Sequence, residues 1–78
     1  MQLLRRTRDI AHYVNGDFEA LCERSSARFT GEPSWRVQVY SLTTGDGEEK
    51  YLIGYTRAEA EEVSRDMLIS FSEGAYGA

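Results

Sequence analysis

Seventy-eight residues, 41% hydrophobic and 28% charged, leave room for one hydrophobic core and no second domain, and exclude the low-hydrophobicity, high-charge compositions that stay unfolded. The net charge of -4 repels phosphate backbones, which argues against nonspecific binding to nucleic acid or to an anionic membrane. A single cysteine, Cys22, excludes an internal disulfide, no run approaches the roughly 20 apolar residues of a membrane span, and the start MQLLRRTRD has no apolar signal core, so a reducing, cytoplasmic setting is expected.

In chain order, Leu3, Ile10 and Val14 fall within a narrow arc at helical spacing, with Tyr13 at its edge, and predict a first amphipathic helix over about 3–14. Asn15-Gly16-Asp17 reads as a helix stop followed by a new cap. Phe18, Leu21, Cys22, Ser25 and Phe29 then recur at helical spacing and predict a second helix over about 17–28. Thr30-Gly31-Glu32-Pro33-Ser34 is a connection.

Beyond it the period changes to two. Trp35, Val37 and Val39 alternate with Arg36, Gln38 and Tyr40, and Tyr51, Ile53 and Tyr55 alternate with Lys50, Leu52 and Gly54, so a β-hairpin is expected over about 35–55. Its loop, Thr43 to Glu48 around Asp46-Gly47, is longer than two residues. Gly54 inside the second strand marks a bulge or a close backbone approach. Thr56-Arg57-Ala58-Glu59 is a capping box that starts a helix over about 57–72, with Ala60, Val63, Met67, Leu68 and Phe71 on its apolar face and Glu73-Gly74 at its end. The fold class expected is α+β: one small domain, α-(α)-β-β-α, with helices packed on one face of an antiparallel hairpin. A two-stranded sheet is marginal alone, and its free edge leaves a homodimer through the hairpin edge open.

Motifs of catalysis are missing: there is no phosphate-binding glycine loop, nucleophile elbow or paired-cysteine zinc spacing. His12 and Cys22 are single residues of their kind, read as a surface histidine and a packed thiol. Acidic pairs such as Glu61-Glu62 have little interior in which to shift their pKa values. No enzyme activity, cofactor or metal is expected.

Charge is unevenly divided. Residues 1–36 hold six Arg against five acids, and residues 37–78 three bases against eight acids. On the last helix Glu59, Glu62, Asp66 and Glu73 form one stripe opposite the apolar face, with Ile69 beside them. Glu62 and Asp66 repel each other four residues apart, so local helix stability does not explain the stripe. Arg5, Arg8 and His12 share a face of the first predicted helix, too few groups to hold nucleic acid firmly.

The stretch from Trp35 to Phe71, a hairpin followed by Thr56-Arg57-Ala58-Glu59-Ala60, faintly resembles the arm-type DNA-binding domains of tyrosine recombinases and, more distantly, double-stranded RNA-binding domains. That resemblance implies nucleic-acid binding through a basic sheet or helix start, and usually a third strand, whereas this half of the chain is acidic. Direct nucleic-acid binding is therefore the alternative reading. The preferred one is a non-enzymatic protein-binding module, an acidic inhibitor or adaptor that docks on a basic protein through Glu59, Glu62, Asp66, Ile69 and Glu73, with Asp46, Glu48 and Glu49 of the hairpin. In size, charge and lack of catalytic motif it is similar to small inhibitor proteins of phages, anti-CRISPR proteins among them; a small subunit of a larger assembly has the same features.

Overall fold

The chain runs back and forth as five antiparallel strands and closes with one helix. The computed structural model describes residues 1–25 and 33–77, with side chains to residue 74. Its elements are β1 (Gln2–Arg6), β2 (Ile10–Asn15), β3 (Phe18–Arg24), β4 (Ser34–Ser41), β5 (Gly47–Ile53) and α1 (Arg57–Gly77). Each strand pairs with its neighbour in sequence, giving the order β1-β2-β3-β4-β5, and α1 lies on one face over β3 and β4 and reaches β2.

This arrangement overturns the α-(α)-β-β-α expectation. Residues 3–14 form the β1–β2 hairpin, not a helix, and the helix expected over 17–28 is strand β3 as far as Arg24. What was expected of residues 26–32, Phe29 included, lies outside the described residues. The physical reason is a shared spacing: residues i and i+4 fall on one face of a helix and of a strand alike, so Ile10/Val14 and Phe18/Cys22 fit both. The deciding positions are i+2. Ala11 and Tyr13 on β2, and Phe18, Ala20 and Cys22 on β3, are all buried beneath the helix. Two of these are alanines, which contribute little to a hydrophobic pattern and are strong helix formers.

Local chemistry makes both turns. Asn15 pairs with Phe18 across a two-residue loop, and Gly16 at φ 62° supplies the left-handed conformation such loops need. Thr7 makes the β1–β2 turn without glycine or proline: its hydroxyl accepts from the N–H groups of Asp9 at 3.3 Å and Ile10 at 3.1 Å.

The hairpin residues do form strands, β4 and β5, joined by a loop longer than two residues. Trp35, Val37 and Val39 are buried under α1, and on β5 only Leu52 is, while Tyr51 and Ile53 are exposed. Gly54 follows β5 at φ 79° and donates to the Pro33 carbonyl at 2.8 Å, so it turns the chain towards the helix instead of bulging a strand. At the start of α1 the capping box closes both ways. The Thr56 N–H donates to Glu59 Oε1 at 2.9 Å and the Glu59 N–H to Thr56 Oγ1 at 3.2 Å. Glu73-Gly74 does not end the helix, because Gly74 stays out of the left-handed region and an interior glycine costs only about 1 kcal/mol.

The core joins Ala60 and Leu68 of α1 to the buried sheet residues, with Val63, Met67 and Phe71 packed against it. Small residues at Ala11, Ala20 and Ala60 let the helix backbone sit close to the sheet. The edge strand β1 lies beyond the helix and is tied to it by charge. Arg6 Nε donates to the buried Glu61 at 3.0 Å, Arg57 reaches the same carboxylate at 3.2 Å, and Arg57 also donates to the Thr7 carbonyl.

Candidate functional site

The outward face of α1 is acidic because its cations are turned inward. Arg57 is held by Glu61 and the Thr7 carbonyl. Arg65 lies over the Tyr13 ring, 5.7 Å from its centroid, and donates to the Tyr13 hydroxyl at 3.2 Å. Glu62, Asp66 and Glu73 remain exposed, with no hydrogen bond or ion pair among the described residues, and Ile69 is 41% exposed between them. Glu59 belongs to the same face, but its carboxylate is engaged in the cap, which holds it below the ordinary carboxylate range. Glu61, adjacent in sequence, is a structural hub and not part of the face.

At the C-terminal end of α1 a concavity of about 580 Å3 opens between the helix, the β2–β3 turn and the β4–β5 loop. Phe18 and Phe71 form its floor, edge to face, with ring centroids 5.8 Å apart and planes at 82°. Asp17, Asp46 and Glu48 stand at its rim with Thr43 and Thr44, and no basic residue lines it among the described residues. The two turns are stitched together: the Leu42 N–H donates to the Asp17 carbonyl at 2.7 Å. The buried Ser41 hydroxyl accepts from the N–H groups of Thr43 at 3.3 Å and Thr44 at 3.2 Å, which shapes the loop. Ser70 and Gly74, next in sequence to Ile69 and Glu73, also line the concavity.

The eight residues expected to act together therefore occupy three places. Glu59, Glu62, Asp66, Ile69 and Glu73 share the helix face; Asp46 and Glu48 border the concavity; Glu49 points to the opposite side of the sheet, 3.5 Å from Arg36. Asp17, Phe18 and Phe71 were missed as site residues. The Asn-Gly dipeptide was the available signal for Asp17 and Phe18, since a hairpin there puts both at a turn.

Among the described residues no element covers the sheet face away from α1. It carries Glu19, Glu23 and Glu49 against Arg5 and Arg36, with Arg36 placed between Glu23 at 3.4 Å and Glu49 at 3.5 Å. His12 lies on this face, while Cys22 lies on the face under the helix, so the sheet separates the two and no Cys–His dyad forms. Burial raises the Cys22 thiol pKa, which disfavours the thiolate. His12 is half-buried on this open face, where its Nε2 lies 3.0 Å from Glu19 Oε2.

The same Glu19 oxygen accepts from the Tyr40 hydroxyl at 2.5 Å. That bond and the neighbouring His12 hold Glu19 below the ordinary carboxylate range against the opposing effect of burial, and it pushes Tyr40 up to about 12. Tyr40 thus titrates above its ordinary value of 10, so its contribution to stability is complete below pH 10 and is lost as pH rises towards 12. Glu19 acts in the opposite sense, with stability present above the ordinary carboxylate pKa and lost as pH falls through its depressed value. Tyr40→Phe is expected to lower the urea midpoint at neutral pH and to make its decline in alkali shallower. An unchanged alkaline decline would overturn the pairing.

No protein-family model, curated protein or solved structure matches the chain. No helix among the described residues is long and apolar enough to cross a membrane, and none of their His, Cys, Asp and Glu groups is arranged to hold a metal ion.

Proposed function

We propose that the chain is a protein-binding module that docks an Arg/Lys-rich surface of a partner on the outward face of α1, in the manner of an acidic inhibitor or adaptor. The observation that carries this is the segregation of charge on the helix: Arg57 and Arg65 fold back onto the body, leaving Glu62, Asp66 and Glu73 unneutralised around the exposed Ile69. Such a face steers a basic partner at long range, and Ile69 supplies an apolar contact once it has docked. The nucleic-acid alternative needs a basic sheet or helix start. Here Arg36 on the sheet face away from α1 is set between Glu23 and Glu49, and Arg57 at the helix start is engaged.

The test is capture of partners from cell lysate at low and high salt, followed by affinity measurement with the purified partner, for the wild type and for Glu62→Lys/Asp66→Lys. Both positions are exposed, so the variant keeps the wild-type circular dichroism. A basic protein bound by the wild type, released by salt and weakened about tenfold or more by the double reversal is the expected result. Equal affinity in both would overturn the reading.

Self-pairing through the outer edge of β5 is a second reading, favoured by Tyr51 and Ile53 standing exposed on a terminal strand. Lys50 in the middle of that strand opposes it, because antiparallel pairing centred there sets lysine against lysine. The molar mass of the purified chain over a concentration series distinguishes the two readings.

A further inference from the structure

The concavity at the end of α1 has the chemistry of a single-residue anchor. Three independent features favour a cation with an apolar stem. Asp17, Asp46 and Glu48 stand at the rim, and no described hydrogen bond or ion pair engages their carboxylates. The C-terminal end of α1 carries the negative pole of the helix, and its last turn contains no basic residue to offset it. The floor is aromatic, Phe71 being half-buried in front of the buried Phe18. A bare metal ion would gain nothing from such a floor, and an anion would be repelled by the rim. Arg and Lys side chains match it, because they lay their methylene stems along apolar surface and keep the charged head at a polar edge. The protein sets its own arginines against aromatic rings elsewhere: the Arg24 guanidinium lies over Trp35, 5.1 Å from the ring centroid, and that of Arg65 over Tyr13.

We propose that this concavity receives one Arg or Lys side chain of the partner protein, its stem against Phe71 and Phe18 and its head between Asp17, Asp46 and Glu48. The proposal deepens the reading of α1 as a docking face for a basic partner and rests on it. The stitched turns support it physically. The Leu42–Asp17 bond and the Ser41 hydroxyl hold the rim in place before binding, so little ordering remains to oppose the contact.

The test uses n-butylguanidinium chloride as the probe, with n-pentanol as its uncharged counterpart, titrated into the isotopically labelled full chain and followed by amide chemical shifts. With n-butylguanidinium, saturable shifts confined to Asp17, Phe18, Ser41 to Glu48 and Ser70 to Gly74 are expected, with millimolar affinity. The same concentration of n-pentanol should give much smaller ones. Asp46→Asn/Glu48→Gln, at two exposed positions, should weaken the probe about fivefold without changing the unfolding midpoint. Shifts spread over every carboxylate of the surface, equal shifts with n-pentanol, or probe binding unaffected in Asp46→Asn/Glu48→Gln would each overturn the proposal. Glu62→Lys/Asp66→Lys separates the two claims, because it should abolish docking of the partner yet leave probe binding intact. A partner lost in that variant but bound equally by the wild type and Asp46→Asn/Glu48→Gln would remove the anchor and leave the docking face standing.

Discussion

Trp35→Ala is expected to leave the chain unfolded at 25 °C. Trp35 is 2% exposed, sits opposite Leu52 across the β4–β5 pair, lies under Arg24, and donates its indole N–H to the Tyr55 carbonyl at 3.1 Å. It therefore fixes three things at once: the register of β5, the path of the chain into α1, and the end of the core beneath the start of that helix. Truncating a buried aromatic side chain to alanine costs about 3–5 kcal/mol, and a single core in a chain of this size rarely supplies more than that amount. Far-UV circular dichroism and a urea titration check it; a cooperative transition at the wild-type midpoint would contradict the role assigned to the ring. Trp35→Phe keeps an aromatic ring in place but leaves the Tyr55 carbonyl without its donor, so it should fold with a lower midpoint.

A comparable loss, about 2–5 kcal/mol, is expected for Leu68→Ala, whereas Ile69→Ala should stay within about 0.5 kcal/mol of the wild type. The two residues are neighbours and nearly alike in size. Leu68 is fully buried between α1 and the sheet, and Ile69 is 41% exposed on the docking face. Burial alone separates them. Helix propensity does not oppose the change at either position, since alanine is the best helix former. Urea midpoints of the two variants, measured side by side, give the result; equal losses would mean that α1 is rotated relative to the sheet. If Ile69→Ala keeps its stability but lowers affinity for the partner, the isoleucine belongs to the interface and not to the core.

The parts of this protein legible in its residues were those where one signal was local and unambiguous. Thr56 and Glu59 marked the start of α1 and bond each other there. The outward placement of Glu62, Asp66 and Glu73 followed from helical spacing once that start was known. The alternation from Trp35 to Val39 marked β4, whose wide apolar side chains recur at every second residue. On β2 and β3 the spacing i, i+4 was satisfied by both periods, and the alanines that decide between them are too small to stand out in a hydrophobic pattern. The concavity was not legible at all. Asp17-Phe18, Asp46-Glu48 and Phe71 are far apart in the chain, and they meet only because the two hairpin turns fall at the same end of the sheet as the end of the helix.

Charge, size and the capping box were determined by the amino-acid sequence itself, because each depends on composition or on residues three apart. Which way each charge faces was decided by the tertiary structure. Arg57 and Arg65 are turned inward by Glu61 and Tyr13, partners from the helix itself and from β2, and Glu48 and Glu49 are sent to opposite sides of one sheet by its pleat. Contacts between distant segments carry no local signature, and in the first 24 residues it is the face under α1, lined by Ala11, Tyr13, Ala20 and Cys22, that shows the strand period.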